Sequence, residues 1–404
     1  RCINSVLHFL QLRRTRLGKA LKKVSSTLRK KRREARAHSF RHLFCTQRNK
    51  WYSLFRKFSQ KEMFCDDPNH PNHHISSDFL QATESIKVWR DIFAEQPSSP
   101  TQMKDWIKEA WPNSPRDTSV VHAFTQSDIS TLFKGNSNTA PGMDLLTYQL
   151  MRRTHNGAIS SFLQHLYNCC LLLATCPEQW RRGILCLLAK KPNPSAADYR
   201  PIALLSVLGK SFTKLLNDRL AKSIEDNQLI SREQIGFRKH MQTFDHIILV
   251  REAIHTYRQS KRPLHLLYID FSKAFDSVPH SLVHLTISHL FGARCATLMH
   301  SSLRGGQAYI RHGQGLSDVI PLNRGVRQGD TISPCTFNLS IEPLLRRINK
   351  ILRQYNATAQ VGNIQLGALG YADDIVILCT KPKVLQLCCD TIHEWCQMTS
   401  MAIN

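Results

Sequence analysis

The sequence predicts an α+β fold in which strands and helices alternate irregularly along the chain. Short apolar runs that end at turn residues or acids predict strands, and longer stretches with apolar residues at helical spacing predict helices. The chain has 404 residues, of which 42% are hydrophobic. This is enough for a sizeable core, arranged as two or three domains or as one large multi-lobed unit.

The predicted elements are clearest from residue 128 onward, although turn-rich loops are already indicated at 66–77 and 97–100. We expect Ser333 to cap a helix that carries Pro334 at its first position, because this pairing is favoured at helix starts. The elements in order are a loop at 136–142, a helix at 159–174, a strand at 183–189, a strand or turn passing into a helix at 202–220, a helix at 242–257, a strand at 265–269, a turn at 272–278, a loop at 325–330, the helix from Ser333, a hairpin of 366–371 with 375–378, and a final helix at 384–398.

Positive charge is concentrated at the start of the chain. The formal net charge is +25, and residues 1–60 contain 18 Lys or Arg but a single acid, Glu34. We therefore expect residues 1–75 to form a basic, helical extension that binds nucleic acid in a salt-sensitive way. A charged surface that serves solubility is the alternative. The aromatic residues at 51–58 lie at helical spacing, which favours packing over base stacking.

The thirteen cysteines include no Cys-x-x-Cys pair, and no signal peptide or membrane span is recognisable. Cysteines within apolar helical patterns are interpreted as small core residues in a reducing compartment, and both nucleus and cytoplasm fit. A zinc site is conceivable at 65–74, but a polar loop fits its irregular spacing better. The pattern carrying the core prediction comprises Cys169, Cys170, Cys176, Cys388, Cys389 and Cys396; the zinc pattern comprises Cys65, His70, His73 and His74.

Three aspartates stand where burial is costly. Asp270 ends an apolar strand, and Asp373 and Asp374 lie between two apolar runs. A hairpin tip beside the end of a neighbouring strand would bring Asp270 and Asp373 together to hold two divalent ions, Mg²⁺ or alternatively Mn²⁺. Since adjacent strand residues face opposite sides, we expect Asp373 to be the stronger ligand and Asp374 to be a supporting acid. An ordinary Asp-rich turn is the alternative for the pair taken alone.

Six segments in sequence order resemble the motifs of reverse transcriptases from non-LTR (LINE-type) retrotransposons. Two positions depart from the usual wording: Met143 stands where relatives have Pro, and so does Thr331. The six segments are 138–144, 198–202 with Lys210, 234–238 with Thr243 and Asp245, 268–276, 325–334 and 371–374. The ordered set covers roughly residues 128 to 404 and is specific to this family.

The resemblance implies a right-hand polymerase fold with fingers and palm at 179–404, preceded by an N-terminal extension of the polymerase at 76–178. It implies an RNA-directed DNA polymerase that binds an RNA template, a DNA primer and dNTP, with no membrane partner. The implied catalytic residues are Asp270, Asp373 and Asp374, the implied metal ligands are Asp270, Asp373 and the backbone carbonyl of Phe271, and the implied nucleotide-binding residues are Arg200, Phe271, Phe275, Gln328 and Gly329.

Within this set, the resemblance makes Phe275 the gate against a ribose 2′-hydroxyl and Arg200 a donor to the triphosphate. Lys273, Asp276 and Arg327 are interpreted as structural or backbone-positioning residues. We expect the chain to be a fragment, since relatives continue beyond the position of Asn404 with a thumb, and to extend primers weakly or not at all. A decayed or repurposed nucleic-acid-binding protein is the alternative; an intron-encoded or telomerase-like reverse transcriptase is a further one.

Overall fold

The computed structural model describes residues 75–114, 116–133, 140–154, 157–190, 195–312 and 315–404. The predicted basic extension, except for its last residue, and the candidate zinc residues lie outside this part of the chain. The helices are α1 Ile75–Phe93, α2 Pro100–Ala110, α3 Gln126–Ser130, α4 Tyr148–Thr154, α5 Gly157–Leu173, α6 Val207–Asp226, α7 Thr243–Gln259, α8 Ala274–Ser277, α9 His280–Leu303, α10 Ser333–Gln354 and α11 Pro382–Thr399. Short 3₁₀ turns cover Thr118–Val121, Glu178–Arg181 and Ala196–Asp198.

The strands confirm the predicted α+β class, because they are dispersed among the helices. They are β1 Arg182–Ala189, β2 Tyr199–Leu205, β3 His265–Ile269, β4 Phe271–Ser272, β5 Gly306–His312, β6 Gly315–Leu316, β7 Ile320–Leu322, β8 Ala359–Val361, β9 Ile364–Leu366, β10 Ala368–Tyr371, β11 Asp374–Cys379 and β12 Ala402–Ile403.

A five-stranded sheet has the order β2-β1-β5-β6, with β7 also paired to β5. Strand β1 runs antiparallel to β2 and parallel to β5. Alternate residues of β2 are buried, as expected for a strand with one face in the core. Helix α1 covers that face with Trp89 and Phe93, which pack with buried residues of β2 and β5.

A three-stranded antiparallel sheet has the order β10-β11-β3, and two-stranded ribbons join β12 to β4 and β8 to β9. Helix α10 lies at the centre of the largest core cluster. Its residues Phe337, Leu344 and Leu345 are fully buried, so the helix is enclosed on several sides. Burial of this apolar surface supplies the main stabilisation of this part of the chain.

Several predicted boundaries need correction. Ser333 is the first residue of α10, not its cap, because Ile332 already has right-handed helical angles at the N-cap position. The predicted turn at 272–278 contains the short helix α8, and the run at 366–371 is divided between β9 and β10. Residues 75–77, expected in a loop, belong to α1. The apolar helices and strands at 280–322 carried no sequence prediction.

The cysteines agree only partly with the prediction of small core residues. Cys170, Cys176 and Cys388 are buried, whereas Cys169 is exposed and is therefore a correction. Cys169 lies on the outer side of α5, whereas the side chains of Cys170 and Leu171, the next two positions around the helix, are buried. Burial raises the pKa of the Cys170 thiol to about 12, so this side chain stays protonated as a core residue.

We predict that Leu345→Ala lowers the free energy of unfolding by about 2–5 kcal/mol, because Leu345 is fully buried in α10 and its truncation leaves a cavity. Urea unfolding followed by circular dichroism measures the change. The control is Leu387→Ala on α11, whose side chain is 41% exposed and should change the value by less than about 0.5 kcal/mol. Equal effects of the two variants would contradict the central place of α10.

Candidate active site

The pairing of β11 with β3 brings the three aspartates to one end of a sheet. Ile375 of β11 pairs with Ile269 of β3, and the two strands run antiparallel. Asp374, just before Ile375, therefore stands level with Asp270, just after Ile269. The expected arrangement, with a hairpin tip beside the end of a neighbouring strand, is the one observed.

The hairpin that joins β10 to β11 has a two-residue connection. Tyr371 pairs with Asp374, so Ala372 and Asp373 form the turn and Asp374 is already in the strand. This corrects the expected position of Asp374, which was placed in the turn. Ala372 adopts a left-handed conformation with φ of 57°. Asp373 is half-buried while Asp374 is exposed, so the two carboxylates have different surroundings.

Electrostatics at Asp373 reflect this crowding of acids. Burial raises the pKa of the Asp373 carboxyl, and the negative charges of Asp374 and Asp270 raise it further. A backbone hydrogen bond and the positive charge of Arg200 act in the opposite direction. Arg200 is an exposed residue of β2 in the five-stranded sheet, and its positive charge acts on Asp373 of the three-stranded sheet's hairpin. The sequence-predicted Arg200 and the three aspartates thus belong to one electrostatic neighbourhood.

Phe275 stands in a cluster of aromatic rings. Its ring stacks on Phe337 with centroids 4.5 Å apart and an interplanar angle of 7°. Phe237 approaches it edge-on at 6.0 Å and also lies 6.4 Å from the ring of Tyr371. Phe275 is only partly buried, so one side of its ring is fixed by α10 while another remains accessible.

Gln328 is held by a buried acid. Its Nε2 donates a hydrogen bond of 2.9 Å to Oδ2 of Asp276, which is 2% exposed. Because the amide nitrogen is engaged, the rotation of the Gln328 side chain is restricted. Burial raises the pKa of Asp276 from its ordinary value of 3.8 to about 7, while Lys273, Gln328 and Lys190 oppose the shift. Asp276 thus restrains the predicted nucleotide-binding residue Gln328, although Asp276 itself is not a predicted site residue.

Gly329 makes a close approach to the strand β2. It has φ of 113°, and a Cβ there would lie 2.6 Å from the carbonyl oxygen of Ala203. The neighbouring Gln328 carbonyl accepts a hydrogen bond of 2.7 Å from the Ala203 N–H. A side chain at position 329 would therefore disrupt both the backbone conformation and this contact.

Lys273 and Arg327 have the structural contacts that the sequence favoured. The Lys273 ammonium donates to the carbonyls of Ala197 and Tyr199 at 2.6 and 2.8 Å. Arg327 forms a buried ion pair of 3.0 Å with Asp330 and donates to the carbonyl of Trp180. Both cations are engaged with the protein itself, so they fix loops next to the site.

The donor set at the strand ends suits a hard divalent cation. Carboxylate and carbonyl oxygens are the ligands that Mg²⁺ prefers, and mutual repulsion of the acids would be relieved by a cation. The side chain of Phe271 is buried in the core, so its backbone alone is available to a ligand. Among the described residues, no group of three or more His, Cys, Asp and Glu side chains could hold a metal ion. The ligand set that the resemblance implies, Asp270, Asp373 and the backbone carbonyl of Phe271, contains only two carboxylates and stays a prediction.

Two polar contacts of the site were missed by sequence reasoning. The Asn404 amide donates to Oδ2 of Asp270 at 2.7 Å, and its backbone N–H donates to the Asp270 carbonyl at 3.0 Å. Gln234 is fully buried and bonds to the backbone of Ala372. The sequence assigns Asn404 no role, and Gln234 belongs to a motif without a predicted contact of its own. Gln234 directly follows Ser231, Arg232 and Glu233, so this largely polar stretch gives no local signal that its side chain is buried.

Together, these features define a polymerase-type palm: acids at a hairpin tip and at an adjoining strand end, with an arginine and a fixed aromatic ring beside them. A model of the family "Reverse transcriptase (RNA-dependent DNA polymerase)" matches residues 189–404, a little more than half of the chain. The chain belongs to this family. The predicted right-hand polymerase fold is thereby confirmed, whereas the division into fingers and palm at 179–404 stays a prediction.

The relatives come from the retrotransposons that the motifs predict. The chain is 30% identical over 210 residues to a probable RNA-directed DNA polymerase from transposon X-element of Drosophila melanogaster, covering 52% of this chain and 23% of the relative. It is 27% identical over 287 residues to the Pol polyprotein of a type-1 retrotransposable element R2 of Popillia japonica, covering 70% and 38%. The resemblance to non-LTR reverse transcriptases is thereby confirmed.

The type-2 element R2DM of Drosophila melanogaster is 26% identical over 333 residues, with 79% of this chain and 29% of the relative covered. The chain thus spans less than two fifths of the length of each of these relatives. A solved structure of apo telomerase from Candida tropicalis, truncated from its C-terminal domain, superposes with a TM-score of 0.40 at 13% identity, covering 58% of this chain and 52% of that one.

Within the described part of the chain, no helix combines the length and apolar character needed to cross a membrane.

We predict that stability falls as pH rises because of Asp276. The pKa of its carboxyl is raised from the ordinary value of 3.8 to about 7 in the folded chain. The stability that this carboxyl contributes is therefore fully present below pH 3.8 and is lost as pH rises toward 7. Urea unfolding at pH 5, 6, 7 and 8 should show that the free energy of unfolding declines as pH rises. In Asp276→Asn this decline should be smaller by about 2 kcal/mol over the same range. The exposed control Asp390→Asn should retain the wild-type slope. Identical slopes in the Asp276→Asn and wild-type proteins would disprove this assignment.

Proposed function

We propose that the protein is the RNA-directed DNA polymerase of a non-LTR retrotransposon, which adds dNTP to a primer 3′-hydroxyl on an RNA template. The observation that carries the proposal is the convergence of Asp270 and Asp373 at the end of the three-stranded sheet, in a chain of the reverse transcriptase family. The names of two relatives support this activity. The X-element relative is a probable RNA-directed DNA polymerase, and the relative from the mobile element jockey is an RNA-directed DNA polymerase. The alternative of a non-catalytic nucleic-acid-binding protein has no observation of its own in its favour.

In the proposed reaction, Asp270, Asp373 and the carbonyl of Phe271 would hold two Mg²⁺ ions, or Mn²⁺ in their place. When bound, the two ions would lower the pKa of the attacking hydroxyl and stabilise the leaving pyrophosphate. Asp374, exposed at the start of β11, adds negative charge beside this pair. The chain's own carboxylates thus fix where the primer end and the triphosphate meet, which orients them for in-line attack.

The remaining side chains bind and select the nucleotide. Arg200, an exposed residue of β2 whose charge acts on Asp373, would donate from its guanidinium to phosphate oxygens. Phe275, supported from behind by Phe337, presents the ring that would collide with a ribose 2′-hydroxyl. Gln328, restrained by Asp276, and Gly329 at the β2 edge would lie against the incoming nucleotide and template. This assignment makes the palm and the fingers jointly responsible for the substrate.

We predict that Asp373→Asn abolishes Mg²⁺-dependent dNTP incorporation on a primed RNA template, because one of the two carboxylates that hold the metal loses its charge. The protein is expressed with its full reading frame and assayed by primer extension. Asp390→Asn, which alters an exposed carboxylate on α11, is the control and should extend primers as the wild type does. Unchanged incorporation by Asp373→Asn would refute the site assignment. Salt-sensitive RNA binding by the wild type without any extension would favour the non-catalytic alternative.

We predict that Phe275→Ala increases the preference for rNTP relative to dNTP by about tenfold or more, because a steric wall against the 2′-hydroxyl is removed. The ratio of kcat/KM for rNTP and dNTP in single-nucleotide extension measures the change. Phe275→Tyr keeps a ring at this position and serves as the matched control. A ratio that stays constant in Phe275→Ala would show that the ring is only a packing residue for Phe337.

A further inference from the structure

A buried glutamine from the segment between α6 and α7 contacts the turn that carries Asp373. Gln234 is fully buried, and its Nε2 donates a hydrogen bond of 3.1 Å to the carbonyl of Ala372. Its Oε1 accepts hydrogen bonds from the N–H of Ala372 at 2.8 Å and from the N–H of Gly236 at 3.0 Å. One side chain therefore satisfies both polar backbone groups of Ala372, the residue that directly precedes Asp373.

Ala372 needs such support for two reasons. Its φ of 57° is a left-handed conformation that a residue with a Cβ adopts only at a cost, and it is 2% exposed. Its N–H and carbonyl are consequently shielded from water, and an unpaired buried backbone group is strongly disfavoured. The amide of Gln234 has one donor and one acceptor side by side, which matches the two groups of a single residue.

The segment around Gln234 is itself anchored to the same hairpin. The N–H of Ile235 donates to the carbonyl of Gly370 at 3.0 Å, and the N–H of Gly370 donates to the carbonyl of Glu233 at 2.8 Å. A Cβ at position 236 would lie 2.4 Å from the nitrogen of Ala372, so a glycine is required for this approach. The segment 233–236 thus lies against β10 and the turn as one unit.

We propose that Gln234 is a positioning residue that sets the direction of the Asp373 carboxylate through the Ala372 peptide. This inference rests on the proposed function, in which Asp373 is a metal ligand. Three negative charges converge at the site, and their repulsion favours rotation of the turn away from Asp270. The two bonds to Ala372 oppose this rotation because they fix the peptide on both sides. Hydrogen-bonded supports of this kind orient the ligands that contact a metal.

The chain provides a matched control at the other end of the same strand. Asn349 of α10 is also buried, and its Nδ2 donates to the carbonyl of Ala368 at 3.1 Å while its Oδ1 accepts from the N–H of Ala368 at 2.8 Å. Gln234 and Asn349 therefore make the same pair of bonds to two alanines of the β10 region. Ala372 adjoins the acids, whereas Ala368 is the first residue of β10, four positions earlier.

The test compares Gln234→Met with Asn349→Leu, each of which removes both bonds while keeping a side chain of similar size. Protein expressed with its full reading frame is used below the unfolding temperature of each variant. Three measurements are made: Mn²⁺ binding by electron paramagnetic resonance, hydrogen exchange of the peptide that contains residues 370–375, and the Mg²⁺ concentration for half-maximal primer extension.

For Gln234→Met we expect roughly 10- to 100-fold weaker Mn²⁺ binding and a similar increase in the Mg²⁺ requirement, with faster exchange at 370–375. For Asn349→Leu we expect a comparable loss of thermal stability with near wild-type metal dependence. Equal changes in metal binding for both variants, or wild-type Mn²⁺ binding by Gln234→Met, would overturn the proposal.

If Gln234→Met does not fold, Mn²⁺ binding by Gln234→Glu tests the proposal instead. A glutamate carboxylate can accept both N–H bonds but cannot donate to the Ala372 carbonyl, whereas the protonated acid can. We therefore expect Gln234→Glu to bind Mn²⁺ more weakly than the wild type, and the difference to shrink as pH is lowered. A ratio of the two Mn²⁺ affinities that does not change with pH would overturn the proposal. Lack of primer extension by the wild type with normal Mn²⁺ binding would count against the proposed function alone. Lack of Mn²⁺ binding by the wild type would count against the positioning role.

Discussion

The arrangement of the site depends on β11, which pairs with β10 on one side and β3 on the other. This pairing fixes Asp374 level with Asp270 and places Asp373 in the turn between β10 and β11. Three like charges are thereby held close together at the end of one sheet, which is unfavourable in the absence of a counter-charge. The rest of the palm resists the repulsion, because α10 and the fully buried residues of β11 prevent the strands from separating.

Several buried polar side chains of this fold hold a neighbouring backbone segment or side chain in place. Gln234 bonds to Ala372, Asn349 bonds to Ala368, and Asp276 restrains Gln328. Glu342, fully buried in α10, accepts from the N–H of Ser231 at 2.7 Å and pairs with Arg346. Burial of such groups costs free energy unless they are bonded. Their hydrogen bonds therefore fix the positions of particular segments within the hydrophobic core.

The sequence was informative where a local pattern determined the structure. The strand before Asp270, the hairpin around Asp373 and the helix α11 follow from apolar runs interrupted by acids or turn residues. The sequence could not locate α9, because its apolar residues occur on nearly all sides and leave no clear period. Gly292, with φ of 85°, also interrupts this helix, so its two halves do not share one face. The role of Ser333 was misassigned because helix caps depend on one residue's dihedral angles.

Residues whose partners are distant in sequence were beyond a local reading. Gln234 and Ala372 are separated by 138 positions, and Asp276 and Gln328 by 52. No periodicity encodes such a pair. Backbone hydrogen bonds bring the segment of Gln234 to β10, and others bring the segment before Gln328 to residues 275–278. The ordered motifs nevertheless named Asp270, Asp373, Asp374 and Arg200, which the structure brings into one electrostatic neighbourhood although they lie on separate chain segments. The order of the motifs thus indicates which chain segments contribute residues to the site, whereas buried hydrogen bonds between distant residues determine the orientation of these segments.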